Sequence, residues 1–463
     1  MTTYKPSMFN NYAQASNGDL LMFNSYIGPD SFCRVSKTIS DQLFQCLKQE
    51  KVTRDDFAHE DTFNDLIWKG YLVSSDEDEL LKIENRYIKI IANQAGSNML
   101  CLIILPTEQC NFRCTYCYED FSKPAMSEEV QNAVYLFVRR NIQKYSALRV
   151  GWFGGEPMVA MKIIESLSDR FITLCKSLKK GYSAHITTNG YFLDKNNFEK
   201  LLSRNVLAYQ ITIDGTKDIH DKYRHTADGK GTFDKILKNL LYIKNNVKSH
   251  TFHISIRTNF TSESLEKLDD YIKLLNDSFK DDKRFSLFIR VASNQGGNNK
   301  IHEIEDELLN STQVSSIAKS IKNKLPDNSV NVDQHIHMIA PGGSMCYAAT
   351  NNHYVIDPYG NLRKCTHFLD DKFNCIGKIE PNGQHHIDEG LEARWVGKMI
   401  LNEKCKKCSF LGACFNRVCP YNRFNNQNDD TAYCPYEKED LEDIMAIAAD
   451  TSYRDRFYNI YSM

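Results

Sequence analysis

Between residues 100 and 291, short runs of β-branched and aromatic residues alternate with segments whose apolar residues recur at helical spacing. Six runs are typical of strands: MLCLIILP, LRVGWFG, AHITTNG, LAYQITIDG, FHISIRTNF and FSLFIRVAS. Alternating strands and helices predict an α/β fold with a parallel sheet, here a partial (β/α)6 TIM-like barrel, because a full barrel needs eight units. Chemistry is then expected on the loops that follow the strands.

The pattern changes on both sides of this array. Residues 1–95 predict a winged-helix-like module, with a strand in DLLMFNSYIG, a capped helix in TISDQLFQCLKQE and a helix running into a strand in TFNDLIWKGYLVS. A purely structural extension of the barrel is an equally open alternative. Residues 96–335 predict the barrel, residues 336–440 a cysteine-rich domain of loops and turns, and residues 441–463 a C-terminal helix or tail.

The composition narrows the function classes. The chain has 463 residues, enough for two or three domains. Its 57 basic and 59 acidic residues give a net charge of −2, which argues against a nucleic-acid or membrane-surface partner. It has no run of 18 apolar residues and no signal-peptide pattern, so we expect a cytoplasmic protein. Fifteen cysteines in a reducing compartment indicate metal or cluster binding rather than disulfides.

Three cysteines lie close together directly after the first predicted strand. Cys110, Cys114 and Cys117 form the pattern C-x3-C-x2-C in EQCNFRCTYCYED. Three thiolates can ligate three irons of a [4Fe–4S] cube and leave the fourth iron open. A zinc site is the alternative, but zinc motifs normally pair two C-x2-C units, and no second unit lies nearby in the sequence.

With Tyr116 directly before the third cysteine, this loop resembles that of the radical S-adenosylmethionine (SAM) enzymes. The resemblance implies that the open iron binds SAM and that Tyr116 contacts the adenine. It also implies that one-electron reduction cleaves SAM to a 5′-deoxyadenosyl radical, which takes hydrogen from the substrate. Cys110, Cys114 and Cys117 would then be both metal ligands and catalytic residues.

Loops after the second and third strands carry further motifs that resemble those of the same family. Gly154, Gly155, Glu156 and Pro157 resemble the GGE motif of the same family, in which glycines allow close backbone approach and the carboxylate binds the SAM ammonium. Asn189, in TTNG, is implied to hydrogen-bond the ribose or methionine of SAM. Ordinary turns are the alternative in both places.

Charged residues follow the fourth and fifth strands. Asp214 and Arg224 lie in QITIDGTKDIHDKYR, which resembles the peptide-modifying branch of the family. We regard Asp214 as a candidate catalytic residue, with a turn-capping aspartate as the alternative. Arg257, in IRTNF, resembles the residue that pairs with the SAM carboxylate, and an arginine buried in a barrel mouth needs an anion in any case.

The C-terminal third contains seven further cysteines in a fixed order. They are Cys346, Cys365, Cys405, Cys408, Cys414, Cys419 and Cys434. The order resembles the SPASM domain of radical SAM maturases, with a structural zinc ribbon as the alternative. One spacing departs from that family, because CFNRVC has four residues between its cysteines where three are usual. The extra residue bears on which of two clusters Cys414 and Cys419 each ligate.

The SPASM resemblance implies two auxiliary [4Fe–4S] clusters, hence three in all. Cys405, Cys408, Cys414 and Cys434 would complete one cluster. Cys346, Cys365 and Cys419 would hold the other and leave an iron open for a substrate thiolate. Cys375 is the nearest unused thiol, although its apolar context is more typical of a core residue. Four other cysteines are predicted to be core: Cys33, Cys46, Cys101 and Cys175.

Together these features predict a radical SAM/SPASM enzyme that modifies a ribosomally made precursor peptide with a leader. A Cys thioether cross-link is the leading hypothesis, and the N-terminal module would bind the leader by strand addition. The expected cofactors are SAM and three [4Fe–4S] clusters, with a reductant such as flavodoxin or ferredoxin. Carbon–carbon or ether cross-linking, epimerisation and formylglycine formation are alternatives, as is a non-catalytic electron-transfer protein.

Overall fold

The computed structural model describes residues 3–15, 17–95, 98–294, 300–310, 313–325, 331–333, 346–396, 403–415, 419–421 and 438–448. These residues divide into two compact units. The first unit comprises the described residues of Met1–Gly96, Gln334–Ala349 and Val396–Met463, and the second those of Ser97–Asp333 and Thr350–Trp395. The units therefore interleave along the chain, whereas the predicted domains follow one another. The functional assignment of each predicted domain stays a prediction.

The N-terminal part of the first unit contains two small antiparallel sheets. Its strands are β1 (Tyr4–Pro6), β2 (Asn10–Gln14), β3 (Leu20–Asn24), β4 (Cys33–Val35) and β5 (Leu72–Ser74). Its helices are α1 (Lys37–Cys46), α2 (Glu60–Trp68) and α3 (Glu79–Ala95). β2, β3 and β4 form one sheet in that order, and β1 pairs with β5. The predicted helix of TISDQLFQCLKQE is confirmed, and Ser36 caps it by accepting a hydrogen bond from the backbone of Thr38.

All six predicted barrel strands are confirmed and run parallel. They are β6 (Met99–Ile104), β7 (Ala147–Trp152), β8 (Gly181–Thr188), β9 (Val206–Thr212), β10 (His253–Phe260) and β11 (Phe285–Val291). The intervening helices are α4 (Glu128–Asn141), α5 (Met161–Ser177), α6 (Lys195–Leu202), α7 (Lys217–Tyr223), α8 (Phe233–Asn246), α9 (Ser262–Glu266) and α10 (Leu268–Phe279). The partial barrel is thus confirmed.

The parallel sheet is two strands wider than the sequence predicts. After α11 (Val314–Lys324), β12 (Asn331–Asp333) adds beside β11, and β13 (His353–Ile356) adds beside β6. Antiparallel strands β14 (Asn361–Arg363), β15 (Cys375–Ile379) and β16 (His385–Ile387) continue the sheet, and α12 (Glu389–Val396) follows. Strands this short carry too few residues for a periodic pattern, and the partner of β13 lies some 250 residues away in the chain.

In β7, one face of the strand is apolar and packs in the barrel wall, whereas the other face points into the barrel interior. Leu148, Val150 and Trp152 are fully buried on one face, whereas Arg149 on the other face is exposed. Gly151 also lies on the inner face, where a Cβ atom would be 2.5 Å from the ring of His185. The apolar face of each strand therefore fixes the barrel wall and leaves the strand ends free to carry functional loops.

The C-terminal part of the first unit contains three described helices: α13 (Glu403–Lys406), α14 (Leu411–Cys414) and α15 (Lys438–Ala448). A search of the described residues found no helix with the length and apolar character needed to cross a bilayer.

Candidate active site

The loop that carries Cys110, Cys114 and Cys117 begins where β6 ends, at the predicted edge of the sheet. Three backbone hydrogen bonds of 2.9–3.0 Å join its residues 111–115 to residues 223–227, which follow β9. A single antiparallel bridge between Phe112 and Thr226 belongs to the same contact. The cysteine loop is therefore fixed by a segment more than a hundred residues away in sequence.

The three thiols lie in a setting that disfavours free thiolates. Burial raises the pKa of Cys110 and of Cys114, and it raises the pKa of Cys117 to about 12. The backbone N–H of Phe112 donates to the Cys110 sulfur at 3.3 Å. Thiolates in such a setting need a positive charge beside them, and a bound metal supplies one.

Gly154 and Gly155 lie against the backbone of the cysteine loop. Gly154 has a φ of +117°, and a Cβ atom there would be 2.2 Å from the carbonyl oxygen of Thr107. At Gly155 a Cβ atom would be 2.3 Å from the carbonyl oxygen of Glu108. Both positions therefore require glycine, and the ordinary-turn alternative does not explain these approaches.

We expect Gly155→Ala to displace the cysteine loop, because the new methyl group meets backbone atoms that have no room to move. Overpacking of this kind costs about 1–3 kcal/mol of folding free energy. A lowered melting temperature and weaker SAM binding, measured by equilibrium dialysis, would show it. Gly390→Ala is the control, since its nearest neighbour is a side-chain oxygen at 3.2 Å. Equal SAM affinity in both variants would contradict the steric argument.

The Glu156 carboxylate joins the loops that follow β7 and β8. It is fully buried and accepts hydrogen bonds from Met158 N at 3.0 Å, from the Thr188 hydroxyl at 2.7 Å and from Asn189 N at 2.7 Å. Pro157 is also buried and begins the short 3-10 helix Pro157–Ala160. Burial raises the pKa of Glu156, and the three donors oppose that shift.

Asn189 orients a residue inside the cysteine loop. Its Nδ2 donates to Asn111 Oδ1 at 2.8 Å, and its Oδ1 accepts from Tyr191 N at 2.9 Å. Asn111 Nδ2 is buried and has no hydrogen-bond partner among the described residues. A buried amide donor of this kind is costly unless a ligand satisfies it.

A buried polar network lies above the ends of β9 and β10. Tyr116 donates its hydroxyl proton to Asp214, and Arg224 donates to the Tyr116 oxygen at 2.8 Å. Asp214 also accepts from Asn259 N at 2.7 Å, and its carboxylate lies 3.8 Å from Arg224 Nε. Burial raises the pKa of Asp214, against which Arg224 acts. The network brings Tyr116 and Asp214 together and does not support the turn-capping alternative for Asp214.

His220, on α7, holds two members of this network in place. Its Nδ1 accepts from Asp214 N at 3.2 Å, and its Nε2 lies 3.0 Å from the Thr232 hydroxyl, which donates to the Arg224 carbonyl at 2.7 Å. Burial lowers the pKa of His220 well below its usual value, so the ring is neutral. The hydrogen bonds then assign the ring proton to Nε2.

Arg257 reaches the network from the inner face of β10. Its Nε donates to Asn259 Oδ1 at 2.8 Å, and its two terminal nitrogens donate to no described residue. Burial lowers the pKa of Arg257. A guanidinium with two unused nitrogens at a barrel mouth is suited to a carboxylate.

A comparison with protein families identifies the family to which this part of the chain belongs. Residues 104–275 match the Radical SAM superfamily. The chain contains a radical SAM domain. The matched range contains the cysteine loop, the glycine loop, Asn189, Asp214 and Arg257.

Curated relatives of this radical SAM protein include two sulfatase-maturating enzymes. The cysteine-type anaerobic enzyme of Clostridium novyi is 23% identical over 382 residues, covering 74% of this chain and 94% of its own. The serine-type anaerobic enzyme of Bacteroides thetaiotaomicron is 23% identical over 367 residues, covering 69% of this chain and 82% of its own.

Two solved structures have a similar fold. anSMEcpe with bound AdoMet and the Kp18Cys peptide has a TM-score of 0.59 at 18% identity and covers 78% of this chain and 99% of its own. Streptococcus suis SuiB bound to precursor peptide SuiA has a TM-score of 0.53 at 16% identity and covers 93% of this chain and 100% of its own.

A radical SAM domain is an enzyme module that uses SAM and a [4Fe–4S] cluster, and the residues present fit both groups. Cys110, Cys114 and Cys117 would hold the cluster through three thiolates. Asn111 Nδ2 is buried without a hydrogen-bond partner among the described residues, as a polar group that awaits a ligand would be. The individual roles of Tyr116, Asn189 and the other pocket residues toward SAM stay predictions.

Cys365 lies in the same unit as the radical SAM domain. It is buried, and Asn374 organises its loop by accepting from Cys365 N at 2.9 Å and donating to the Cys365 carbonyl at 2.9 Å. His367, two residues on, stacks on Tyr118 with ring centroids 4.4 Å apart. The loop of Cys365 and the loop of Cys117 therefore meet through this pair of rings.

Cys405, Cys408 and Cys414 lie in the other unit. Ser25 and Asn11 fix the turn after Cys408 by donating to the carbonyl oxygen of Ser409 at 2.6 and 3.1 Å. Cys346 and Cys419 are also described there, and Cys434 lies outside the described residues. The assignment of these cysteines to two auxiliary clusters stays a prediction.

The cysteines predicted to be core differ in burial. Cys175 is 1% exposed, as predicted. Cys33 and Cys46 are half-buried and pack against the apolar core of the first unit. Cys101 and Cys375 are half-buried in strands of the main sheet.

The sequence did not single out several residues that shape the site. Asn111, His220, Asn259 and Asn374 are the clearest cases, since each holds a predicted site residue or its loop. Asn259 lies at the end of β10, just as Asn189 follows the end of β8. Its position at a strand end could therefore have identified it as a candidate site residue. The other three lie in loops or on a helix without such a signal.

Proposed function

We propose that this radical SAM enzyme modifies a peptide or protein, most specifically by joining a cysteine sulfur to a carbon of a precursor peptide. One observation carries the enzyme class: the cysteine loop, the glycine loop and the Tyr116–Asp214–Arg224 network converge at one end of the barrel. The peptide substrate is supported by the names of the similar proteins, which are sulfatase-maturating enzymes or were solved with peptides bound.

When SAM and the cluster are bound, they supply a 5′-deoxyadenosyl radical that removes a hydrogen atom from the substrate. This chain's residues bind and orient. Arg257 would receive the SAM carboxylate on the two terminal nitrogens that donate to no described residue, and Asn111 would offer its amide donor. Glu156 would accept the SAM ammonium, and its backbone N–H donates to the Gln109 carbonyl at 2.9 Å, which keeps the glycine loop against the cysteine loop. Tyr116 would contact the adenine, while Asp214 accepts the hydrogen bond of its hydroxyl.

Two observations support a role of the first unit in binding the leader. β2 and β4 are the outer strands of its three-stranded sheet within the described residues, and an outer strand offers backbone donors and acceptors to an added peptide. The similarity to SuiB extends over 93% of this chain, whereas the similarity to anSMEcpe extends over 78%. We therefore favour a precursor peptide with a leader over a folded sulfatase.

A thioether product is supported by the sequence pattern of Cys346, Cys365 and Cys419. Three thiols would leave one auxiliary iron open for the substrate sulfur. Bond formation between sulfur and a carbon radical releases one proton and one electron, and a further iron–sulfur cluster is a suitable one-electron acceptor. Flavodoxin or ferredoxin would supply the electron that starts each turnover.

Formylglycine formation is the second candidate, favoured by the two sulfatase-maturating relatives. Mass spectrometry of a cysteine-containing peptide separates the two products. A thioether loses two hydrogens and no sulfur, and its cysteine no longer reacts with iodoacetamide. Conversion of cysteine to formylglycine exchanges sulfur for oxygen, also removes two hydrogens, and creates an aldehyde that hydrazide reagents label.

The test uses anaerobically reconstituted protein with SAM, a reductant and short cysteine-rich peptides encoded beside its gene. We expect 5′-deoxyadenosine and a peptide that has lost two hydrogens. An aldehyde product would favour the second candidate. Protein with a full iron load that makes no 5′-deoxyadenosine would refute the enzyme and favour an electron-transfer role.

A further inference from the structure

A cavity of about 210 Å³ lies in the first unit, bordered by β1, β5, the end of α2 and the first turn of α3. Pockets for drug-sized ligands typically measure about 300–1,000 Å³, so this one suits a single long side chain better than a cofactor. Ile27, Ile67 and Leu72 supply part of its apolar wall. A flexible hydrocarbon stem would therefore be well accommodated.

Glu79 gives the cavity a charged wall. It is the first residue of α3, is 7% exposed, and accepts hydrogen bonds from the Ser7 hydroxyl at 2.5 Å and from Met8 N at 3.1 Å. A carboxylate can accept about four hydrogen bonds, so acceptor capacity is left over. Both its donors are neutral, and neither compensates the carboxylate's charge.

The other charged groups of the cavity neutralise each other. Glu77 and Lys82 both line it and form an ion pair at 2.5 Å. Glu79 takes part in no ion pair with a described residue. A buried anion without a cationic partner is unfavourable, although its place at a helix N-terminus reduces the cost. The cavity thus carries one uncompensated negative charge beside an apolar wall.

We propose that this cavity binds a lysine or arginine side chain of the substrate peptide, with its stem along Ile27 and Leu72 and its cationic head at Glu79. Long basic side chains combine an apolar stem with a charged tip, as the cavity requires. The inference rests on the proposed function, because it identifies which residue type of the peptide the first unit recognises.

Saturation-transfer NMR on the full-length, cluster-loaded protein tests this directly. The probes are Nα-acetyl-arginine methylamide and its neutral isostere Nα-acetyl-citrulline methylamide. We expect the arginine probe to give at least about tenfold stronger binding, since loss of one charge pair costs about 1.4 kcal/mol or more. Nα-acetyl-lysine methylamide, compared with the norleucine analogue, shows whether ammonium and guanidinium bind equally.

Glu79→Gln should abolish the preference for the charged probe, whereas Asp76→Asn, which alters an exposed acid of the same segment outside the cavity, should keep it. If Glu79→Gln does not fold, Ile27→Phe narrows the cavity without touching the carboxylate and should also remove binding. Equal binding of the arginine and citrulline probes to the wild type would overturn the proposal. The binding measurement involves no SAM cleavage, so a failed modification assay would not count against binding of a basic side chain in this cavity.

Discussion

Replacement of Cys114 with alanine is expected to abolish 5′-deoxyadenosine formation, with a loss of at least about a hundredfold relative to the wild type. Even outer-shell partners of a metal site contribute about 10–100-fold, and Cys114 would be a direct ligand. The measurement is anaerobic incubation with SAM and dithionite, followed by chromatography of 5′-deoxyadenosine. Iron content per chain should fall by about four if three clusters are present in the wild type.

Cys46→Ala is the matched control, because Cys46 is half-buried at the end of α1 and belongs to neither cysteine region. Its iron content and SAM cleavage should equal those of the wild type. A Cys114→Ala protein that still cleaved SAM would remove the cysteine loop from the active site. Alanine at Cys110 or Cys117 should reproduce the result, since each would hold one iron.

Asp214→Ala is expected to destabilise the protein by about 3–5 kcal/mol, because it leaves the Arg224 guanidinium buried without its carboxylate. Asp214 is fully buried and Arg224 is 7% exposed, so water cannot replace the lost partner. Urea unfolding of the second unit, followed by circular dichroism, measures the change. Cleavage of SAM should fall as well, because Tyr116 loses the acceptor of its hydroxyl proton.

The double variant Asp214→Ala/Arg224→Met distinguishes the buried charge from simple loss of volume. Removal of both charges should recover part of the stability that Asp214→Ala loses. Asp234→Ala is the control, because its ion pair with Lys217 is exposed on both sides and should contribute no measurable stability. A double variant no more stable than Asp214→Ala would show that charge is not the cause.

The sequence predicts the barrel well because each strand and helix has enough residues for its own period. The apolar alternation of β7 is a local signal, and the six barrel strands were predicted in the right order. β13 was missed because pairs such as His353 with Cys101 join residues some 250 apart, and β12 because its three residues carry no periodic pattern.

Within the site, motifs identify residues more reliably than they identify contacts. The pattern C-x3-C-x2-C predicts three neighbouring thiols, but it does not predict that Tyr116 donates to Asp214 across 98 positions of sequence. Glu156 is predicted as a SAM ligand, and the structure adds a role in joining two loops. Such contacts depend on how strand ends meet, which only the folded barrel determines.

The residues that hold the cysteine loop in place are synthesised after the loop itself. Residues 110–117 leave the ribosome before residues 154–156, residue 189 and residues 223–227, all of which hold the loop in place. At about 5–20 residues per second, the loop waits roughly 5–20 seconds for its last backbone partner. We therefore expect iron–sulfur insertion to follow translation of most of the barrel, and a chain truncated before residue 223 should not retain the cluster.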